Sequence, residues 1–284
     1  MRLDKYLSDM NIGTRSEIKK RIRAGSVSVS GMVIRDPGQQ VGEGEEICID
    51  GKNIGYEQYQ YYMLNKPAGI ISASEDRKER TVVDLLREND PDGSARKDLF
   101  PVGRLDKDTE GLLVITNDGE LTHRLLSPDR HVDKVYYAEV SGMITGEDME
   151  LIRRGIQFDE HLKAKPAKIE LLSAGHEMRE RERILFEKER HFRENCESYI
   201  LPERRQPETG IAPVSFSKVL VTIQEGRFHQ IRKMLGALGQ GKMVIYLKRL
   251  SMGSLRLDDS LPPGACRKLT EEEILGLKES GETE

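Results

Sequence analysis

Between Tyr61 and Leu257 the apolar residues of this chain come in short blocks shaped for strands. "YYMLNK", "GLLVIT", "KVYYAEV", "AKIELL", "KVLVTI" and "VIYLKRLSM" run six to nine residues each, and each is followed closely by Gly, Pro, Asn or Asp. Blocks of that length, rich in Val, Ile and Tyr and closed by turn residues, suit a pleated backbone better than a helix. Helical spacing is confined to a few stretches. They include "DMELIRRGI", stopped by Gly155, and "HQIRKMLGALG", where Ile231, Met234, Leu235 and Leu238 share a face. "TVVDLL" fits either state. Many strands with few helices predict an α+β fold, built on a mixed, mostly antiparallel sheet with flanking helices.

Residues 1–56 read as a separate small unit. "RLDKYLSDM" sets Leu3, Tyr6, Leu7 and Met10 at helical spacing. Thr14-Arg15-Ser16-Glu17 is a capping box, in which the Thr hydroxyl accepts from the third backbone N–H and Glu17 reaches back. The helix it opens is predicted to end at Gly25, which tolerates a left-handed C-cap. "SVSVSGMVIRD" predicts a hairpin turning at Ser30-Gly31, and Cys48 to Ile54 a further strand and turn. "GYEQYQ" then links this αββ-type unit to a second one, residues 60–270. Inside the second unit, residues 176–212 are charged densely enough to read as an insertion, part helix and part loop, outside the core. There Arg179, Arg181 and Arg183 alternate with Glu as on a solvated face. Residues 271–284, with six Glu and one Lys, read as an acidic tail that frays or solubilises.

No run approaches the roughly 18 apolar residues of a membrane helix. "MRLDKYLSDM" lacks the apolar core of a signal peptide, so the cytoplasm is the expected compartment. Cys48, Cys196 and Cys266 are odd in number, far apart and without a CxxC pair; neither a zinc site nor a disulfide framework is expected. The formal net charge of −4 argues against a nucleic-acid partner, but its distribution does not: residues 1–40 hold eight Lys/Arg against four Asp/Glu. Charges are screened within about 8 Å at cellular salt, so a basic head can hold phosphate whatever the tail carries. A monomer is the default expectation.

The most charged turn is "GRLDKDTEGLLVITNDG", Gly103 to Gly119, with Asp106, Asp108 and Asp118. Asp106, Asp108, Glu110 and Gly111 mimic the start of a calcium loop. The mimicry fails because Asn117 stands where a bidentate Glu is required, and because Pro101 and Gly103 forbid an entering helix. A glycosidase pair needs two carboxyls about 5–10 Å apart across a sugar, and neighbours on one strand do not straddle a substrate. Spacing alone leaves a solvated turn as the simplest reading.

Together with its neighbours, the segment resembles the central motif of the pseudouridine synthases, in the ribosomal RsuA/RluB/RluE/RluF branch. "LNKPAG" (Leu64 to Gly69), "KVYY" (Lys134 to Tyr137), "EGRFHQIRKM" (Glu225 to Met234) and "YLKRLSMGSL" are similar to other motifs of that branch. The head, "MRLDKYLSDMNIGTRSEIKKRIRAGSVSVSGMVIRDPGQQV", resembles the ribosomal-protein-S-four-like RNA-binding domain. The resemblance spans residue 1 to about 275, apart from the charged insert.

The resemblance implies roles. Asp106 is the catalytic aspartate, Tyr136 the ring stacked on the target base, and Arg232 the basic residue paired with the aspartate. Leu247 is the apolar residue beneath the base, with Ile245 or Leu250 in its place if the register shifts. On "KVYY" alone, a tyrosine pointing inward as core is the simpler reading. Asp108 and Asp118 match no catalytic position and remain turn residues. Phosphate contact falls to Arg2, Arg15, Lys19, Lys20 and Arg23 in the head, and to Arg227 and Lys233 near the site; Arg104 either joins them or braces the turn. His229 is a helix-start residue that orients RNA or Arg232, rather than a base. The implied function is an isomerase converting a specific uridine of ribosomal RNA to pseudouridine. "MRLDKYLS", "LNKPAGIISASED" and the extended central motif look most like the small-subunit 16S rRNA enzymes. A large-subunit 23S rRNA enzyme is one alternative, and a catalytically silent, RNA-binding ribosome assembly factor is another. The implied partner is ribosomal RNA or a ribosomal subunit assembly intermediate, with no cofactor and no metal.

The reaction explains the residue types. It breaks the N1–C1′ bond of uridine, turns the base and joins C5 to C1′, with no electrons or external groups exchanged. One carboxylate suffices, either attacking C1′ or taking a sugar proton. It must stay ionised in a poorly solvated pocket, which a nearby guanidinium favours. The uridine must leave its stack at a cost of a few kcal/mol. A tyrosine face returns about 1–3 kcal/mol of stacking.

Overall fold

The computed structural model describes residues 1–42, 44–55, 57–90, 94–158, 162–194, 215–239 and 241–280. The head contains α1 (Leu3–Asp9), α2 (Arg15–Ala24), β1 (Val27–Val29), β2 (Met32–Ile34), β3 (Ile47–Ile49) and β4 (Lys52–Asn53). Its strands form one antiparallel sheet in the order β2-β1-β3-β4. Local signals account for these elements. Both halves of the Thr14/Glu17 capping box form, Gly25 closes α2 in the left-handed region, and the hairpin turns through Ser30 and Gly31 at positive φ. Leu3, Leu7, Ile18, Ile22, Val27 and Ile47 fill a core of the head's own. The head thus has the two helices, the hairpin and the further strand and turn that its sequence predicts, the chain after Cys48 folding back as β4.

The large sheet runs β13-β5-β7-β11-β8-β10-β9, with β12 on β11 and β6 on β7. Its strands are β5 (Tyr61–Lys66), β6 (Phe100–Pro101), β7 (Glu110–Thr116), β8 (Lys134–Ser141), β9 (Lys168–Glu177), β10 (Ser215–Ile223), β11 (Val244–Met252), β12 (Leu255–Arg256) and β13 (Cys266–Lys268). The β7–β11 pair is parallel and the other pairs are antiparallel, so the sheet is mixed and the fold α+β. Both faces are covered at its centre. Tyr62, Leu64, Leu113 and Ile115 face α3 (Val82–Glu88), α5 (Gly146–Arg153) and α7 (Gln230–Gly236). Tyr61, Met63, Leu112 and Val114 face α4 (Gly119–Leu126) and α8 (Glu271–Glu279). Burial on both faces is why "GLLVIT" is continuously apolar rather than alternating. Among the described residues no helix is long and apolar enough to cross a membrane.

Two charged stretches depart from expectation. α6 (Glu180–Glu194) is not a detached solvated insert: Met178 and Phe186 pack with Phe216, Met243 and Ile245 in an apolar cluster against β10 and β11. A few apolar residues suffice to seat a helix whose other positions are charged. Residues 195–214, with Cys196, lie outside the described residues. The acidic tail does not begin as a fraying end either. α8 is capped by Thr270 with Glu273, buries Leu277 fully, and is tied by Arg267 to Glu273 at 2.8 Å. Residues 281–284 lie outside the described residues.

Candidate active site

The loop entering β7 carries Asp106, and it is braced from below. Lys66, at the end of β5, is fully buried, and its ammonium donates to the carbonyls of Pro67, Lys107 and Thr109 at 3.0, 3.1 and 2.8 Å. Burial pushes this amine down to about 8, against the opposing pull of Asp108, Asp106 and Glu110. The Ser72 hydroxyl accepts from the Leu105 N–H at 3.0 Å and donates to its carbonyl at 2.9 Å. The residues on either side of Asp106 are thus held by hydrogen bonds, which fixes where its side chain stands.

Asp106 lines a cleft with Tyr136 of β8, Leu247 of β11 and Ile223 at the end of β10. Leu247, rather than Ile245 or Leu250, faces this cleft because of a register shift. β11 is irregular against β8 between Val244 and Tyr246, which takes Ile245 into the cluster under α6 and leaves Val244 and Leu247 on the other core. The chain enters α7 through His229 in the left-handed conformation, φ 52°. The side chain of Gln230, the first residue of α7, reaches back to the preceding loop, donating to Glu225 at 2.6 Å and accepting from the Arg227 N–H at 3.0 Å. Every residue of α7 is buried, so Arg232 is presented from a fixed element.

The polar side chains converge. His229 Nε2 is 3.6 Å from Asp106 Oδ1, and Arg232 Nε is 4.0 Å from Asp106 Oδ2. Burial pushes the Asp106 carboxyl above the usual carboxylate range; His229, Arg232 and Lys66 oppose this, and Asp108 adds to it. Burial pushes His229 below its ordinary value, while Asp106 opposes. Arg232 does not serve Asp106 alone. It donates through Nη1 to Glu189 of α6 at 2.9 Å and to the Val244 carbonyl at 3.1 Å, and its Nη2 lies 2.9 Å from Asp108 Oδ2. Asp108 is therefore more than a turn residue. Asp118 is too: it is buried, caps α4 by accepting from the Leu121 N–H at 2.9 Å, and accepts from the Tyr61 hydroxyl at 2.7 Å. Among the described residues no group of three or more His, Cys, Asp or Glu is placed to hold a metal ion.

A family model for RNA pseudouridylate synthase matches residues 60–237. The chain belongs to the RNA pseudouridylate synthase family. An S4 domain model matches residues 1–47 of the synthase. The chain is 38% identical over 280 residues to the uncharacterized RNA pseudouridine synthase YtzG of Bacillus subtilis, covering 98% of this chain and 99% of that one. It is 33% identical to the ribosomal large subunit pseudouridine synthase B of the same organism, covering 98% and 95% of the two chains. It is 31% identical to the ribosomal small subunit pseudouridine synthase A of Vibrio cholerae, covering 98% and 99%.

The S4 head of this synthase organises its cations around an acid that sequence reading passed over. Asp4 is fully buried and lies 3.0 Å from Arg2, 3.5 Å from Arg15 and 3.8 Å from Lys19. The hydrogen bond from Arg2 holds its carboxyl below the usual range, against the effect of burial. An Asp between Leu3 and Leu7, near cations at positions 2, 15 and 19, was the available signal. Lys20 and Arg23 of α2 are exposed, as are Arg104 and Arg227 at the rim of the cleft. Lys233 needs correction as a phosphate contact: it is buried, with its ammonium 5.5 Å from the centre of the Phe228 ring. Lys66 was legible only as part of a motif, since its bracing role depends on a loop 41 residues away. Glu189 sits among alternating charges with no sequence signal.

Proposed function

We propose that this synthase converts a uridine of ribosomal RNA to pseudouridine in the cytoplasm, acting as a monomer on ribosomal RNA or a subunit assembly intermediate. The observation that carries the reading is the single cleft shared by Asp106, Tyr136 and Leu247, with Arg232 beside the aspartate. An extruded uracil fits between Tyr136, which stacks on it, and Leu247, which packs beneath it. Asp106 then acts at the sugar, by attack on C1′ or by removal of a sugar proton. Arg232 favours its ionised form. Residues 1–56 hold structured RNA through Arg2, Arg15, Lys19, Lys20 and Arg23. Residues 60–270 perform the chemistry, with Arg104 and Arg227 at the entrance. The 16S rRNA is the first candidate substrate. The relatives named for each subunit keep 23S rRNA as the second.

The test is incubation with ribosomal RNA transcripts and with isolated subunits of both kinds, followed by pseudouridine mapping. New pseudouridine at one position of 16S rRNA is expected; a position in 23S rRNA replaces the substrate and keeps the reaction. No new pseudouridine in any sample leaves the silent assembly factor standing. Asp106→Asn is expected to abolish product while leaving RNA affinity largely intact, and an active variant removes Asp106 from its role.

A further inference from the structure

Arg232 has more acidic partners than one reacting aspartate requires. Glu189 accepts from Nη1 at 2.9 Å, Asp108 lies 2.9 Å from Nη2, and Asp106 stands 4.0 Å from Nε. The side chains of Arg232 and Glu189 are only 4% and 5% exposed, so solvent screens their attraction little. α6 reaches this position through contacts of its own. Phe186 sits in the apolar cluster with Phe216, Met243 and Ile245. Arg181 donates to the buried Glu139 at 3.1 Å, with its guanidinium 5.3 Å from the centre of the Tyr246 ring. A helix anchored on β10 and β11 thus delivers a carboxylate to a different edge of the guanidinium from the one nearest Asp106.

We propose that Glu189 is a positioning residue for the isomerisation, holding Arg232 partly off Asp106 and so setting the charge that Asp106 experiences. The proposal deepens the reading of Asp106 as the reacting carboxylate and rests on it. A guanidinium carries its donors in a rigid planar fork. Gripped through Nη1 and Nη2, it cannot also close a two-bond pair with Asp106 without turning. The negative charge of Glu189 also offsets the field of Arg232 at Asp106, which keeps Asp106 a stronger base. Asp106 is faced by His229 at the start of α7 and Arg232 within it, by Lys66 from β5, and by Asp108 in its own loop, and Arg104 of that loop and Arg227 line the same cleft. A change at Glu189 removes none of these groups; it alters how Arg232 is shared, and it also takes away an acid whose charge raises His229.

The experiment uses the full-length chain. Glu189→Gln keeps a hydrogen-bond acceptor and removes the charge; Glu189→Met is a second uncharged variant of similar length; Glu189→Asp keeps the charge. The Asp106 titration is followed by carboxyl-carbon NMR without RNA, alongside the pH profile of kcat for pseudouridine formation. The uncharged variants are expected to lower the Asp106 midpoint by roughly one pH unit. The acid limb of the kcat profile moves by the same amount, with KM within about twofold, because ionised Asp106 then persists to lower pH. Glu189→Asp is expected to stay within a few tenths of a unit of the parent. An unmoved midpoint in a folded uncharged variant overturns the proposal, as does an equal shift in Glu189→Asp, which marks a packing effect. The titration needs no turnover. An inactive parent chain, or an active Asp106→Asn, therefore fails the functional reading separately.

Discussion

Gly111 stands where β7 meets β11 in parallel, at φ 99°, and a β-carbon built there lies 2.2 Å from the Arg249 carbonyl oxygen. A backbone atom cannot step aside as a side-chain tip can. Gly111→Ala is expected to part the two strands and cost about 3 kcal/mol or more, read by urea unfolding. Tyr136 makes a second residue-scale prediction. Tyr136→Phe keeps the ring face and most of kcat/KM, whereas Tyr136→Ala loses about 1–3 kcal/mol of stacking, seen as a roughly 5- to 150-fold fall. Asp106 makes a third. Its carboxyl is raised on folding, so activity falls as pH drops through a value above the usual aspartate range. The same direction means the ionised form is disfavoured by folding: stability from this group is present below its unfolded value and is lost as pH rises through the folded one. Asp106→Asn is therefore expected to raise the melting temperature at pH 7 while abolishing product, a pairing that calorimetry and pseudouridine mapping check together.

Elements here are secured at their ends as well as along their faces. Capping boxes open α2, α3, α5 and α8, each a Thr followed three residues later by Asp or Glu. α4 uses Asp118 instead, and the same carboxylate receives the buried Tyr61 hydroxyl of β5. Asp118→Ala removes a helix cap and leaves that hydroxyl without this acceptor, so a loss of about 2–3 kcal/mol is expected in urea unfolding. α2 shows the opposite economy. Its inward residues Ile18 and Ile22 hold it to the head, which leaves Lys20 and Arg23 exposed for work other than packing.

Across the whole molecule, a net charge of −4 coexists with a cationic head because opposite charge is collected elsewhere, in α8 and the residues after it. The head also touches the rest of the chain. Arg96 is buried and donates to the Glu57 carbonyl at 3.2 Å, with Asp9 of α1 at 3.8 Å, while Lys97 donates to the Gly13 carbonyl at 2.7 Å. Lys20 and Arg23 take no part in these contacts, so replacing them separates electrostatic capture by the head from chemistry in the cleft. Replacing Lys20 and Arg23 together by Ala is expected to lower the slope of log K against log salt by about one to two, with kcat at saturating RNA unchanged. Filter binding across a salt series reads the first, and pseudouridine formation the second.

What the sequence determined by itself was local or ordered along the chain. The Thr14 capping box, the Gly25 stop and the Ser30-Gly31 turn depend on near neighbours, and they appear where their residues predict. The strand blocks imply the α+β class for the same reason. The order of motifs named Asp106, Tyr136, Arg232 and Leu247 without any account of how they meet. Tertiary structure decided the rest, because burial and long-range pairing have no local signature. Alternation along β11 sets Ile245 and Leu247 on one face, and an irregularity against β8 separates them. Glu189 finds Arg232 across 43 positions, and a charge alternation that reads as a solvated helix surface becomes an ion pair once α6 is seated. Asp4 becomes an organiser of cations only when folding removes it from water, since an isolated carboxylate there would be too costly to keep charged.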